Sequence, residues 1–187
     1  MKCQECSIDF PKPDIIDGTA YYVCASCGSV HEVESYRTYT PEERVAKFEF
    51  QQGIKLPAGF SDHAGMSGPW VVRLPPADSE RAKYYFGEGL YEIGRIAGLE
   101  SDTFLSIFDS SRLTVEWGLP QKLVLLEGDG HTWIALDYRK SNTSPTVIAI
   151  ETDEYTWLPV ASSFQDFVLA LLPYESVYGA EGELPHK

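Results

Sequence analysis

Cations are scarce in this sequence: 15 lysines and arginines stand against 28 aspartates and glutamates, a net charge of −13. Nucleic-acid affinity comes mostly from Lys and Arg neutralising phosphates, and anionic membranes recruit the same residues, so the deficit argues against both partners. An acidic surface instead steers a protein toward a basic one. Long apolar runs are missing too, and no stretch reaches the roughly 18 residues that span a bilayer. Met1-Lys2-Cys3 leads into polar residues and not into the apolar segment of a secretory signal, so the expected location is the cytoplasm. Also absent are a Gly-rich phosphate loop with its Lys, a His-Glu-x-x-His and a nucleophile elbow, which leaves no recognisable catalytic constellation. Apolar side chains are plentiful: at 43% hydrophobic and 13% aromatic, 187 residues can fill one ordinary domain beside a small one.

No cysteine follows position 27, and the four present form two Cys-x-x-Cys pairs, Cys3/Cys6 and Cys24/Cys27. Two residues between cysteines let a tight turn aim both sulfurs at one point, and two such turns complete a tetrahedral thiolate cage for Zn²⁺. The 17 residues between the pairs suit a zinc ribbon. Gly28 after Cys27 tolerates the positive φ of such a knuckle, and Ser7 after Cys6 is less apt. Disulfides would need an oxidising compartment, and a redox Cys-x-x-Cys would follow a strand of a βαβ unit, a setting neither pair has. Four closed thiolates favour structural zinc over iron. Residues 1–36 hold Lys2 and Lys12 against six carboxylates, a surface that repels phosphate. Tyr21, Tyr22, Val23 and Val30 are expected to pack around the metal in a unit too small to fold without it.

Beyond a boundary near Arg37 to Tyr39, Thr40-Pro41-Glu42-Glu43 is a capping box opening a helix to about Gln52, with Gly53 as its stop. Residues 58–69 read as a loop, Trp70 to Leu74 as a short strand, and 84–99 as strand-length pieces cut by glycines. Asp109 is placed to cap a short helix through Trp117. Lys122 to Glu127 and Thr132 to Tyr138 flank a Gly-Asp-Gly turn, and Pro145 to Ile150 and Tyr155 to Val160 flank an acidic one, giving a four-stranded antiparallel meander. Ser162 and Gln165 open a last helix with Phe164, Phe167, Val168, Leu171 and Leu172 on one stripe, which Pro173 ends. The expected layout is a zinc ribbon over 1–36, an α+β domain with a largely antiparallel sheet packed by helices over 40–173, and a flexible tail over 174–187.

The stretches TPEERVAKFEFQQGIKLP (40–57), EWGLPQKLVLLEGDGHTWIALDYR (116–139) and SPTVIAIETDEYTWLPVASSFQDFVLALL (144–172) resemble the SUKH superfamily of Smi/Knr-type proteins. The ordered features are the Trp and Gly-Leu-Pro before a strand, the Gly-Asp-Gly turn, the Leu-Asp-Tyr of the next strand and the Ser-Phe-x-x-Phe closing helix. The sequence departs after Leu56-Pro57, where a glycine-rich stretch to Gly68 replaces the family's usual second helix. The resemblance implies an α+β binding module without catalysis, in bacteria typically an immunity protein that neutralises a polymorphic toxin, often a nuclease. Fungal relatives regulate cell-wall glucan synthesis, so a scaffold or regulatory protein of the same fold is the alternative.

Candidate partner-binding residues are Trp117, Glu127, Asp129, Trp133, Asp137, Asp153 and Glu154. The carboxylates, with Glu151, give the meander an acidic rim that suits a basic toxin, or only solvent. Asp129 is first of all a turn former. Asp137 shares a face with Trp133 and Ala135, as the polar end of a half-exposed surface or as a buried hydrogen-bonding anchor. The three tryptophans 117, 133 and 157 fit the core or an interface. A hydrolase built on His131 lacks a placed nucleophile.

Overall fold

The computed structural model describes residues 3, 5–7, 14–16, 19–32, 39–76, 80–87, 89–100 and 105–178. The expected boundary at Arg37 and Thr38 lies outside them, as does any tail beyond Tyr178. Contacts divide the chain into two units, 1–40 and 41–187.

The first unit is a three-stranded antiparallel sheet, β1 (Asp14–Ile16), β2 (Thr19–Val23) and β3 (Val30–Glu32), in that order. Among its described side chains only Cys3 and Cys24 are buried. Val23 and Val30, expected around the metal, are 51% and 63% exposed. They are directly opposed across β2 and β3, so they share one face, and that face is open to solvent.

The second unit opens with α1 (Pro41–Gln52), stopped by Gly53 at φ 63°. Where a loop was expected, α2 (Phe60–His63) forms and β4 (Ser67–Arg73) begins, so the strand expected at Trp70 starts three residues earlier. Phe60 explains the helix: its ring is buried against Phe164, 5.2 Å between centroids. Among the pieces expected over 84–99, Tyr84 to Phe86 end a helix, α3 (Glu80–Phe86), before β5 (Leu90–Arg95). A 3-10 turn (Ile107–Asp109) leads into α4 (Ser110–Glu116). Asp109 stands at the N-cap position of α4 as expected but makes no side-chain cap bond there; its side chain closes the cap of the 3-10 turn instead, where Ser106 Oγ accepts from Phe108 N at 3.3 Å while Asp109 Oδ2 accepts from Ser106 N at 3.2 Å.

The expected meander is present as β6 (Leu123–Gly128), β7 (Thr132–Asp137), β8 (Thr146–Glu151) and β9 (Thr156–Ala161), all antiparallel. The continuous apolar runs of β6, β7 and β8 reflect burial on both faces. One face, with Leu126, Ile134, Leu136, Val147 and Ala149, meets α1, α5 and the second sheet in the main core. The other, with Leu125, Trp133, Ala135, Ile148 and Ile150, carries a smaller cluster under Leu105, Leu113 and Trp117.

The last long helix, α5 (Phe164–Ala170), is capped by Ser163, whose Oγ accepts from Asp166 N at 3.1 Å, and not by the expected Ser162 and Gln165. Asp166 Oδ2 also accepts from the hydroxyls of both serines, so Ser162 adds a second tie at the same end. The chain then returns as β10 (Leu172–Pro173) beside β4, completing a second sheet in the order β10-β4-β5. Tyr174–Val177, expected to start the tail, forms α6 with Val177 buried.

Candidate functional site

Two places gather chemistry-bearing side chains, one in each unit. In the first, the Sγ atoms of Cys3, Cys6, Cys24 and Cys27 all lie within 4.8 Å of one another. The short contacts cross between knuckles, Cys3 to Cys27 at 3.6 Å and Cys6 to Cys24 at 3.3 Å. A metal about 2.3 Å from each of four tetrahedral sulfurs spaces them roughly 3.8 Å apart, so this set fits an ion, whereas a disulfide needs about 2.05 Å. The two knuckles also share a backbone form. Ser7 N donates to Cys3 O at 2.9 Å and Gly28 N to Cys24 O at 2.8 Å, with Ser7 at φ 60° and Gly28 at φ 73°. Ser7 therefore occupies the left-handed position that favours glycine. The backbone N–H of Cys27, then the Cys6 thiol and the N–H of Ser26, hold the Cys24 thiol below its ordinary range. Replacing Ser7 by Gly should relieve about 1 kcal/mol of left-handed strain and slow metal loss to a competing chelator; an unchanged rate would show that the hydroxyl compensates.

The second place is one end of the meander. In an up-and-down sheet the β6–β7 and β8–β9 turns fall at the same end, and hydrogen bonds tie them together. Thr152 N donates to His131 O at 3.0 Å, and Thr152 Oγ1 sits 3.1 Å from both Gly130 O and His131 O. Each turn is closed by its own carboxylate. Asp129 Oδ1 accepts from His131 N at 3.0 Å, Thr132 N at 2.9 Å and Thr132 Oγ1 at 3.3 Å, the turn-forming role expected of it. Glu151, fully buried, accepts from Asp153 N at 2.6 Å and Glu154 N at 3.1 Å.

Around this frame stand His131, Tyr85, Trp117 and Asp153. The His131 ring stacks on Tyr85 at 5.8 Å and 12°, and meets Trp117 edge-on at 5.9 Å. Asp153 reaches both neighbours, its Oδ1 3.9 Å from His131 Nδ1 and its Oδ2 accepting from the Tyr85 hydroxyl at 3.3 Å. Gly130 is what lets Trp117 lie here, since a Cβ on it would stand 2.2 Å from Cζ2 of that ring.

Four of the seven expected partner-facing residues, Trp117, Asp129, Asp153 and Glu154, therefore sit on or beside these two turns. Trp133 does not: it is 3% exposed, and its Nε1 donates to Gly130 O at 3.1 Å, so it supports the turn from the core. Asp137 lies at the opposite end of β7, buried, with Oδ1 and Oδ2 each 2.8 Å from Arg139 nitrogens. Burial pushes its carboxyl up, but the hydrogen bonds and charge of Arg139 outweigh that and hold it below the usual range. That is the buried-anchor alternative for Asp137.

Glu127 is half-buried after a bulge in β6, beside a cavity of about 210 Å³ lined by Gly94, Arg95, Ile96, Ala97, Leu105 and Gly128. Desolvation raises its carboxyl above the ordinary range despite hydrogen bonds from Tyr91 and Gly94 N. The folded state thus holds a proton that the unfolded chain gives up near pH 4.3, so stability falls as pH rises from there through the folded-state value. Glu127→Gln should remove that fall, its advantage over the parent growing as pH rises above about 4 in urea unfolding; parallel pH profiles would contradict it. Sequence reasoning missed Tyr85 and the role of His131, because α3 is distant in the chain and no local pattern announces that it packs beside the Gly-Asp-Gly turn.

Fold and site together define an α+β domain whose conspicuous polar and aromatic groups cluster on turns at one end of an antiparallel meander, in a chain that also carries a four-cysteine unit. The chain belongs to the SMI1 / KNR4 family (SUKH-1), whose model matches residues 40–170, a family with an immunity-protein-like fold. No curated protein and no solved structure matches the chain.

Proposed function

We propose that this protein is a cytoplasmic immunity protein that binds and neutralises a cognate polymorphic toxin without catalysis of its own. The binding domain is residues 40–173, and residues 1–36 form a zinc ribbon held by Cys3, Cys6, Cys24 and Cys27. The observation that carries the reading is that, within a domain of this family, Asp129, Asp153 and Glu154 gather beside Trp117 at one end of the sheet. Such an acidic face with an aromatic base suits a basic toxin, where charge complementarity speeds encounter and selects the partner more than it adds raw affinity. The His131 ring stacks on Tyr85, meets Trp117 edge-on and lies by Asp153, aromatic and charge contacts of the kind a binding surface uses, which supports binding over hydrolysis. Zinc is supported by four cysteine sulfurs, none in a disulfide, converging at tetrahedral spacing, and a cytoplasmic setting by the reduced state they need.

The test is co-expression with the toxin domain encoded in the neighbouring reading frame. Cells should survive, and the two proteins should co-purify as a complex that weakens as salt is raised. Loss of protection only when Asp153 and Glu154 are both neutralised would place the contact at this end of the sheet. Failure to bind any neighbouring toxin domain would remove the immunity reading.

A further inference from the structure

The cavity of about 210 Å³ that Glu127 borders lies where the chain leaving β5 is tied to β6, Ala97 N donating to Leu126 O at 2.6 Å. Ile96, Ala97 and Leu105 make its wall apolar, and Gly94 and Gly128 bring backbone without side chains to it. Two residues of opposite charge line it as well, Arg95 and Glu127, and among the described residues no ion pair joins them.

Arg95 Nε is sealed from solvent and has no acceptor among the described residues. The other end of that side chain is held in place, Nη2 lying 3.3 Å from where a Cβ on Gly65 would stand. Glu127 takes its hydrogen bonds from neutral donors, the Tyr91 hydroxyl and Gly94 N, and its Oε1 lies 3.8 Å from the Cβ position of Gly94. Desolvation, reinforced by the charge of Asp129, pushes its carboxyl up, as expected of an anion without a cation beside it. A buried donor on a charged group and a desolvated carboxylate both call for an explanation, and one cavity lined by both offers a common one.

We infer that this cavity binds a free α-amino acid with a medium-sized aliphatic side chain, its carboxylate on Arg95 and its ammonium on Glu127. A carboxylate accepts from Nε and an Nη nitrogen of a guanidinium together, which employs the buried nitrogen of Arg95. An anion alone would meet the charges of Glu127 and Asp129, and a cation alone would meet Arg95; a molecule carrying both charges on one carbon satisfies both residues. Ile96, Ala97 and Leu105 are left for the aliphatic side chain. The size agrees: a cavity of about 150 Å³ holds benzene, so one of about 210 Å³ holds roughly eight or nine non-hydrogen atoms, the size of valine or leucine. The inference does not rest on the immunity reading, since a site for a small molecule neither requires nor excludes a protein partner.

The experiment titrates the full chain with L-leucine by calorimetry, and with three compounds that each lack one part of it. 4-Methylpentanoate has no ammonium, 3-methylbutylamine no carboxylate and glycine no side chain, and each should bind at least about 10-fold more weakly than L-leucine. NMR shifts on adding L-leucine should centre on the methyl groups of Ile96, Ala97 and Leu105. Arg95→Gln and Glu127→Gln, each shown to be folded by its urea midpoint, should lower L-leucine affinity by about 10-fold. Binding of 4-methylpentanoate or 3-methylbutylamine as tight as that of L-leucine would overturn the inference, because one of the two charge contacts would then be idle. So would L-leucine that fails to bind the parent at about 10 mM, or that binds both variants as it binds the parent. None of these failures touches the co-expression test, which reads the protein partner by itself.

Discussion

Chelation of the proposed zinc, or Cys24→Ser, should unfold the first unit while leaving the second intact. The β1–β3 sheet has strands of three, five and three residues, too little to be stable alone. Its described side chains offer no apolar substitute for the metal, since Val23 and Val30 face solvent and the buried pair is Cys3 and Cys24. Among the described side chains of the unit, two of the four cysteines are therefore its buried groups. A structural zinc is worth about 10 kcal/mol or more of folding free energy at neutral pH, far beyond what such a sheet supplies otherwise. Amide exchange should show β2 and β3 losing all protection on chelation, with β6 to β9 unchanged because their core is built from other residues. Cys24→Ser should do the same without chelator. Protection in β2 and β3 that survives both treatments would sink the zinc assignment.

The parts of this fold that sequence made legible are those with a short-range cause. The Cys-x-x-Cys knuckles, the Thr40-Pro41 helix start and the meander with its Gly-Asp-Gly turn each depend on residues within a few positions, and each is present. The shifts are equally local: Ser163 caps α5 because Asp166 closes the cap, and the neighbouring Ser162 presents the same hydroxyl one residue early. What was not legible depends on long-range contacts. β10 is two residues that become a strand only by pairing with Val71 and Trp70. The burial of Phe60, which makes a helix of an expected loop, is set by Phe164, over a hundred residues on. Likewise the site's acidic half was readable as two polar turns, whereas its aromatic half required α3 to pack beside them. Asp137 lies between the two cases: alternation placed it on the face of Trp133 and left a surface end or a buried anchor open, and the ion pair with Arg139 makes it the anchor.

Gly130→Ala should be among the most damaging single-methyl changes in the second unit, and it should damage the candidate surface as well as stability. The added Cβ would lie 2.2 Å from Trp117 Cζ2, 2.4 Å from Cη2 and 2.8 Å from Cε2, atoms of a rigid ring that cannot yield by rotating a terminal bond. The backbone adds to the strain, with Gly130 at φ 104°, where L side chains are disfavoured. Overpacking costs roughly 1–3 kcal/mol and the positive φ about 1 more, so the unfolding free energy should fall by about 2–4 kcal/mol. To admit the methyl, Trp117 must leave its place against Leu119 and the second face of the meander, and with it goes the edge contact to His131. Urea unfolding followed by tryptophan fluorescence reads both effects, the midpoint reporting stability and the native spectrum the displaced indole. The double variant Trp117→Ala with Gly130→Ala separates the causes: once the ring is gone the methyl has room, so the second change should cost only the backbone share, about 1 kcal/mol. A Gly130→Ala variant within 0.5 kcal/mol of the parent would mean that the turn relaxes around the ring, and that Trp117 is not held at this end by the missing side chain of residue 130.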